Sequence, residues 1–198
     1  MSAPPVLRGI YRDLQKTWGP EDGGYLFENG PGPVDRLDVL VYRPTDTVPM
    51  TLFATIGMSV EAMPSTPGAG GDQRAELRFG RRGSLSREEE GAVARQLANI
   101  AIFPWNGGSG LDWGHVVGID NDFPTFAGCR AVFLSGPLTE DSQDCLWVGD
   151  DVVRIINVVP ITEDERVAAR AMRPGDFIHE LMEEVDIFSA RSDSDAAT

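Results

Sequence analysis

The sequence predicts an α/β fold, an α+β sandwich in which helices pack against a mixed, largely antiparallel sheet. Residues 49–59 and 74–79 each show the two-residue alternation of side chains that is typical of a pleated strand. Residues 86–103 instead repeat apolar side chains at helical spacing. Because a Gly- and Pro-rich connection joins the two strands, we expect them at the centre of the sheet.

The first predicted element is a helix at residues 4–18, whose apolar residues share one face and which a Gly-Pro pair ends. Residues 21–33 are rich in glycine and proline and are predicted as a loop with a short extended piece at 25–27. Residues 36–43 alternate as a strand does. A proline-bounded turn then predicts a hairpin with the strand that follows.

A capping box predicts where the helix at 86–103 begins. Ser86 can accept a hydrogen bond from the backbone of Glu89, whose carboxylate can reach back to the serine. Three consecutive glutamates also suit the positive end of a helix dipole, so they need no ligand. The helix is expected to end near Phe103, before a proline. Its predicted buried stripe is Val93, Leu97, Ile100 and Ala101.

Apolar runs predict the later strands. One strand is expected at residues 114–119 and another, buried one at 130–134. Residues 146–148 and 152–159 predict a hairpin around a Gly-Asp-Asp turn. The second arm of this hairpin is apolar enough to be a central strand.

Two helices and a tail complete the predicted fold. Thr162 and Glu165 form a second capping box, and Asp176 is expected to cap a further segment after a Pro-Gly interruption. The helix that begins at Thr162 is predicted to bury Val167, Ala168, Ala171 and Met172. The second is predicted to bury Phe177, Ile178, Leu181, Met182 and Val185. We find no repeat or second core, so the sequence predicts a single domain over 1–188 and a disordered tail over 189–198.

Composition argues against several classes of function. The net charge of −14 repels nucleic acid and favours a basic protein partner, although solubility alone also explains it. No apolar run approaches the ~20 residues of a membrane span, and the N-terminus has no secretory pattern, so we expect a soluble cytoplasmic protein with no membrane partner. Cys129 and Cys145 are predicted as buried free thiols, and no motif implies a cofactor.

Two glycine-rich loops are candidate contact surfaces. Residues 61–72 form one loop, and residues 104–114 form another that carries two tryptophans. Aromatic side chains are favoured at protein interfaces, but these two could instead pin the loop onto the core. The predicted partner-binding residues in and beside the second loop are Trp105, Asp112, Trp113, His115, Asp120 and Asp122.

Four short motifs follow one another along the chain. A Gly-Met-Ser triplet at 57–59 ends the first central strand, and an Ala-Glu-Leu triplet at 75–77 lies in the second. Residues 114–117, which come after the helix at 86–103, form a Gly-His-Val-Val run. Residues 159–162 form a Val-Pro-Ile-Thr run that leads into the acidic start of the next predicted helix. Their order and spacing over residues 35–184 resemble those of the suppressor-of-fused domain family.

This resemblance implies an α/β interaction domain without enzymatic chemistry. In animals it implies a cytoplasmic protein that restrains a transcription factor by holding an extended peptide. A short, one-domain chain is similar to bacterial members that look like immunity proteins against toxins, and an acidic inhibitor suits a basic toxin. The family-motif residues, interpreted as mainly structural, are Gly57, Met58, Ser59 and Glu76.

Two other functions stay open from the residues. His115 and nearby acids could serve a hydrolase or a metal-dependent enzyme, because imidazole and carboxylate groups bind divalent ions. Neither a Gly-x-Ser-x-Gly elbow nor an EF-hand pattern is present, however, so we predict no metal site. The chain could also be an adaptor or scaffold subunit of a larger bacterial assembly.

Overall fold

The computed structural model describes residues 3–64, 73–107 and 109–191, which form a sheet with helices on both of its faces. The strands are β1 (Gly23–Glu28), β2 (Arg36–Tyr42), β3 (Met50–Ile56), β4 (Arg74–Arg82), β5 (Val116–Gly118), β6 (Ala131–Ser135), β7 (Cys145–Val148) and β8 (Asp151–Ile161). Their order is β1-β2-β3-β4-β8-β6-β5, and β7 pairs with β8 beside this path. The predicted fold class is confirmed.

The long strand β8 joins the two halves of the sheet. Its residues 153–157 pair in parallel with residues 74–78 of β4. On its other side β8 pairs antiparallel with β7 near its start and with β6 near its end. The remaining pairings are antiparallel. The sheet is therefore mixed and largely antiparallel, as the sequence predicts, and the predicted central strands β3, β4 and β8 all lie in its interior.

Four helices cover the sheet: α1 (Pro5–Trp18), α2 (Arg87–Ile102), α3 (Glu163–Ala171) and α4 (Pro174–Glu184). α2 packs over one face, where Ile156 and Val158 of β8 join its buried stripe. The opposite face divides between α1, which covers Val153 and Ile155, and the α3–α4 pair, which covers the end of β8. Alternate residues of one strand thus supply two separate layers of core.

Both predicted capping boxes are confirmed. Ser86 and Glu89 exchange hydrogen bonds at the start of α2, and Thr162 and Glu165 do so at the start of α3. The predicted inward face of α3 is wrong in part, since Val167 is 61% exposed and the buried residue is Ala169.

α4 begins earlier than predicted. Its first helical residue is Pro174, so Asp176 lies inside the first turn and does not cap the helix. Proline suits this position, because its missing N–H would have no partner inside the helix. On the predicted apolar face, Phe177 and Leu181 are buried, but Met182 is 39% exposed.

The end of the described chain is held by polar contacts. Arg191 pairs with Glu165 at 3.0 Å, although the sequence assigns residue 191 to the predicted tail. Arg82 of β4 pairs with Asp186, and its backbone N–H donates to the carbonyl of Phe188. Residues 192–198 of the predicted tail and 65–72 of the predicted 61–72 loop lie outside the described residues.

Candidate functional site

The Gly-Met-Ser motif forms a tight turn at the end of β3. Gly57 has φ 135°, and a Cβ atom at this position would lie 2.5 Å from the carbonyl oxygen of Arg36. A short 3₁₀ helix, Met58–Val60, follows at once and buries Met58 and Ser59 completely. The turn therefore requires a glycine for both its backbone conformation and its close approach to β2.

The side chain of Glu76 fills the inside of this turn. Its Oε1 accepts hydrogen bonds from the backbone N–H groups of Gly57 and Ser59, at 2.9 and 3.0 Å, and from the Ser59 hydroxyl at 2.7 Å. Its Oε2 accepts from the Thr55 hydroxyl at 2.6 Å. The residue is 2% exposed. Burial raises the pKa of the Glu76 carboxyl, and the four hydrogen bonds oppose this rise.

These contacts explain why the Gly-Met-Ser and Ala-Glu-Leu triplets occur together. The first triplet provides three of the four donors, and the middle residue of the second provides the acceptors. Arg74, two residues before Glu76, extends the linkage by donating to the carbonyl of Ser59 at 2.9 Å. A buried side chain with all these partners favours the structural role that the sequence suggests for the motif.

Three of the six predicted partner-binding residues lie together beside β8. Asp112 forms an ion pair with Arg154, whose guanidinium lies 4.6 Å from the ring centroid of Trp113. Trp113 donates from Nε1 to the carbonyl of Ile155 at 2.9 Å. His115 is exposed, and its Nδ1 accepts from the backbone of Asp112 at 3.2 Å.

The other three predicted residues lie elsewhere. Trp105 is half-buried at the end of α2 and packs beside Gly32 in the loop between β1 and β2. Asp120 and Asp122 are exposed and follow the opposite end of β5 from His115. Asp122 pairs with Arg130 at 2.9 Å, and hydrogen bonds from Gly128 and Arg130 lower its pKa. The structure therefore does not bring the six residues into one surface.

The β7–β8 hairpin adds an exposed aromatic residue that sequence reasoning missed. Trp147 is 73% exposed and pairs with Val152, which is 39% exposed. The pairing of Cys145 with Arg154 places all four side chains on the same side of the hairpin as Trp113. We call this surface the hairpin face; it consists of Asp112, Trp113, Cys145, Trp147, Val152 and Arg154.

The sequence held part of the signal for this surface. Alternation with buried Leu146 places Trp147 on the opposite side of β7. The alternation alone does not determine which side of β7 another element covers. α1 covers the Leu146 side, where Val148 packs against Gly9, and so leaves Trp147 in solvent.

A groove between α1 and the β1–β2 edge is the larger of two concavities described for this structure. Its volume is about 930 Å³, and its walls include Leu7 and Tyr11 of α1 and Leu26 of β1. Charged residues of both signs line it, with Arg36 and Asp38 paired at 3.0 Å.

The described residues were also compared with the requirements of a metal site, a disulfide and a membrane span. Within residues 3–64, 73–107 and 109–191, no three His, Cys, Asp or Glu side chains are grouped as a metal site would require. Cys129 is a buried free thiol, as predicted, and burial raises its pKa to about 11. Cys145 is also free but only half-buried. No described helix has both the length and the apolar character needed to span a bilayer.

The comparison with protein families decides the identity. The sequence model of the family described as Suppressor of fused protein (SUFU) matches residues 33–191, which is most of the chain. The chain belongs to the suppressor of fused family. The resemblance inferred from the short motifs is confirmed, and the match includes both the Gly57 turn and Glu76. A search of curated proteins found no match.

Solved structures of the suppressor of fused family share the fold. A chain of the Sufu-Fu complex crystal structure aligns with a TM-score of 0.68 at 15% identity, covering 97% of this chain and 91% of that one. The crystal structure of a SUFU homolog from Neisseria gonorrhoeae aligns with a TM-score of 0.68 at 17% sequence identity, and the alignment covers 93% of each chain. The crystal structure of Drosophila Suppressor of Fused aligns with a TM-score of 0.67 at 16% sequence identity, and the alignment covers 93% of this chain and 48% of that one. At these identities the likeness establishes the fold.

Proposed function

We propose that this member of the suppressor of fused family is a non-enzymatic, cytoplasmic protein-binding domain that acts as an immunity protein. It neutralises a basic toxin by covering the toxin's surface. The observation that carries this proposal is the hairpin face, where the exposed Trp147 shares one side of the hairpin with Arg154, whose guanidinium lies over the ring of Trp113.

The hairpin face has the composition of a binding surface. Tryptophan and arginine are enriched among the residues that contribute most to protein–protein binding. Trp113 is already fixed by its hydrogen bond to Ile155, and a Cβ atom at Gly136 would lie only 3.1 Å from its ring. A preordered side chain loses little entropy when a partner docks. Trp147, at 73% exposure, has the largest area left to bury.

The outer edge of β7 offers a second means of contact. In the described part of the chain, β7 pairs only with β8, so its other side leaves backbone groups without a strand partner. An extended segment of the toxin can pair with this edge while its side chains contact Trp147.

Charge supports a basic partner. The chain carries 31 acidic and 17 basic residues. A long-range field of this sign speeds the approach of a positively charged protein, whereas short-range contacts at the hairpin face stabilise the docked complex. The crystal structure of the Sufu-Fu complex shows that a relative of the same fold has been captured with another protein.

Affinity capture from the native cells, followed by mass spectrometry after a salt wash, tests the proposal. Recovery of one protein with a basic, toxin-like C-terminal domain would support it, and deletion of the gene for this chain should then stop growth. Recovery of a structural assembly would favour the adaptor or scaffold alternative instead. If no protein is recovered, a thermal shift with divalent ions would test the enzyme alternative that uses His115.

A pair of variants tests the binding surface once the toxin is known. Trp147→Ala should weaken toxin binding by about thirtyfold or more, as expected when a central aromatic contact is lost. Phe103→Ala removes a partly exposed aromatic residue from the end of α2 and should leave the affinity unchanged. Equal affinities for the two variants, with unchanged melting temperatures, would place the interface elsewhere.

A further inference from the structure

A cleft opens on the face of the sheet opposite to the hairpin face. Its volume is about 460 Å³, which lies in the range of small-molecule sites. The end of α1 and the segment 187–188 form two of its walls, and the loop 138–143 forms a third. Its floor consists of residues from β3, β4 and β8.

Arg78 lies in this floor and is almost completely enclosed. Its side chain is 11% exposed, and its guanidinium lies 4.9 Å from the ring centroid of Trp18. Nη2 donates to Oε1 of Gln143 at 3.1 Å, and the nearest oxygen of Asp13 is 3.7 Å away, beyond hydrogen-bond distance. A guanidinium has five N–H donors, and among the described residues Arg78 donates a hydrogen bond only to Gln143, so it keeps donors for a ligand in the cleft that it lines.

The charge of Arg78 is incompletely compensated. Burial lowers the pKa of its guanidinium, and Asp13 opposes this only in part. The oxygen of Asp13 that faces Arg78 is itself buried without a hydrogen-bond partner. The ion pair at 3.7 Å therefore leaves both groups short of the contacts that a buried charge normally has.

The other residues that line the cleft determine which chemical groups a ligand needs besides its anionic end. Leu52, Ile155, Val159 and Phe188 contribute apolar surface. The mouth is polar, with Thr139 and Ser142 joined by a 2.7 Å hydrogen bond. A ligand for this cleft thus combines one anionic end with a small apolar body.

We propose that the cleft is a binding site for a carboxylate attached to a small apolar group. The two carboxylate oxygens would accept hydrogen bonds from the free donors of Arg78, and the apolar group would lie against Ile155 and Phe188. Such a carboxylate can come from a free organic acid or from the C-terminus of a polypeptide. The site uses none of the residues of the hairpin face, so it does not depend on the proposed immunity function.

NMR titration of the whole protein with 3-phenylpropionate, followed through the backbone amides, tests this site. The changes in amide chemical shift should be largest at Arg78, Gly80 and Asn157 in the floor of the cleft. The neutral analogue 3-phenylpropanamide should bind about tenfold more weakly, because it lacks the charge-assisted hydrogen bonds. Tighter binding of acetyl-alanyl-phenylalanine would identify a polypeptide C-terminus as the source, and weaker binding would identify a free acid.

Three variants make the test specific. Arg78→Gln should lower the affinity for 3-phenylpropionate about tenfold, whereas Arg95→Gln removes the same charge from the exposed side of α2 and should not. Because Arg78→Gln also leaves Asp13 without a cation, Asp141→Asn at the mouth provides an independent readout. Removing that negative charge should tighten binding. Equal binding of the acid and the amide, or an affinity unaffected by both Arg78→Gln and Asp141→Asn, would overturn the proposal.

Discussion

Glu76 illustrates how a single carboxylate can hold a turn in place. A buried charge without a partner is costly, yet no cation contributes to the shift in its pKa. Two backbone N–H groups and two hydroxyl groups converge on it instead. The side chain does for the Gly57–Ser59 turn what a helix cap does for a helix end, because it accepts from N–H groups that would otherwise lack partners.

Removing this side chain should destabilise the fold. Glu76→Ala leaves the backbone donors of Gly57 and Ser59 and the Ser59 hydroxyl buried without an acceptor and should lower the free energy of unfolding by at least about 3 kcal/mol. Urea denaturation measures the loss. Glu61→Ala, which removes an exposed glutamate nearby, should change stability by less than about 0.5 kcal/mol. Equal losses in the two variants would contradict the role assigned to Glu76.

Gly57 should be equally intolerant of a side chain. Gly57→Ala combines an unfavourable φ of 135° with a 2.5 Å approach to the carbonyl of Arg36, so we expect a loss of at least about 2 kcal/mol in thermal or urea unfolding. Gly175→Ala is the matched control, since a Cβ atom there meets no atom within 4 Å in the first turn of α4. That variant should be neutral or stabilising by up to about 1 kcal/mol. A stable Gly57→Ala protein would show that the turn can relax.

At the scale of elements, the segment after α4 fastens the C-terminal end of the described chain to β4. Asp186 accepts hydrogen bonds from Arg82, Ser189 and the backbone of Phe188. The hydrogen bond from Arg82 is the largest of several contacts that lower the pKa of Asp186 to about 2. The segment is therefore held most firmly while this carboxyl is ionised.

The pH dependence of stability should reveal this contact. A carboxyl whose pKa is lowered on folding stabilises the protein above its unfolded pKa of about 3.9, and the contribution is lost as pH falls through about 2. Wild type should thus lose more stability than Asp186→Asn between about pH 5 and pH 2, measured by urea unfolding at each pH. Asp46→Asn, an exposed loop variant, should follow wild type. If Asp186→Asn also follows wild type, the ion pair with Arg82 contributes nothing.

The elements differ in how far the sequence predicts them. Capping boxes are local, since both partners lie within one turn, and those at Ser86 and Thr162 are found where the pattern places them. The buried side of a short helix depends on its neighbours. α3 approaches β6 through the small side chain of Ala169, which leaves the larger Val167 in solvent. Hydrophobicity alone favours the opposite arrangement.

At the scale of the whole molecule, the predicted site residues separate because a strand lies between them. Asp112 and Asp122 are close in the sequence, but β5 carries the chain from one end of the sheet edge towards the other. Trp147 and Trp113 share a surface only because β7 pairs with β8, whose Arg154 contacts Trp113. Contacts of this kind depend on sheet order, which local patterns do not determine.

The overall charge leads to a prediction about kinetics that rests on the proposed function. If a net charge of −14 steers a basic toxin, raising NaCl from about 50 mM to about 500 mM should slow association by at least about tenfold, because salt screens long-range attraction. Dissociation should change less, since salt screens short-range contacts at a docked interface much less than long-range attraction. Stopped-flow fluorescence of the tryptophans would measure both rates. An association rate independent of salt would show that the acidic charge serves solubility alone.

The parallel pairing of β4 with β8 also has a consequence for synthesis on the ribosome. β4 is translated early, but its partner at residues 153–157 emerges only after α2 and three further strands. Until then, the nascent chain presents an unpaired inner strand edge, the feature that promotes wrong associations between chains. Translation of β8 completes both halves of the sheet at once, so the protein acquires its protected form in one late step.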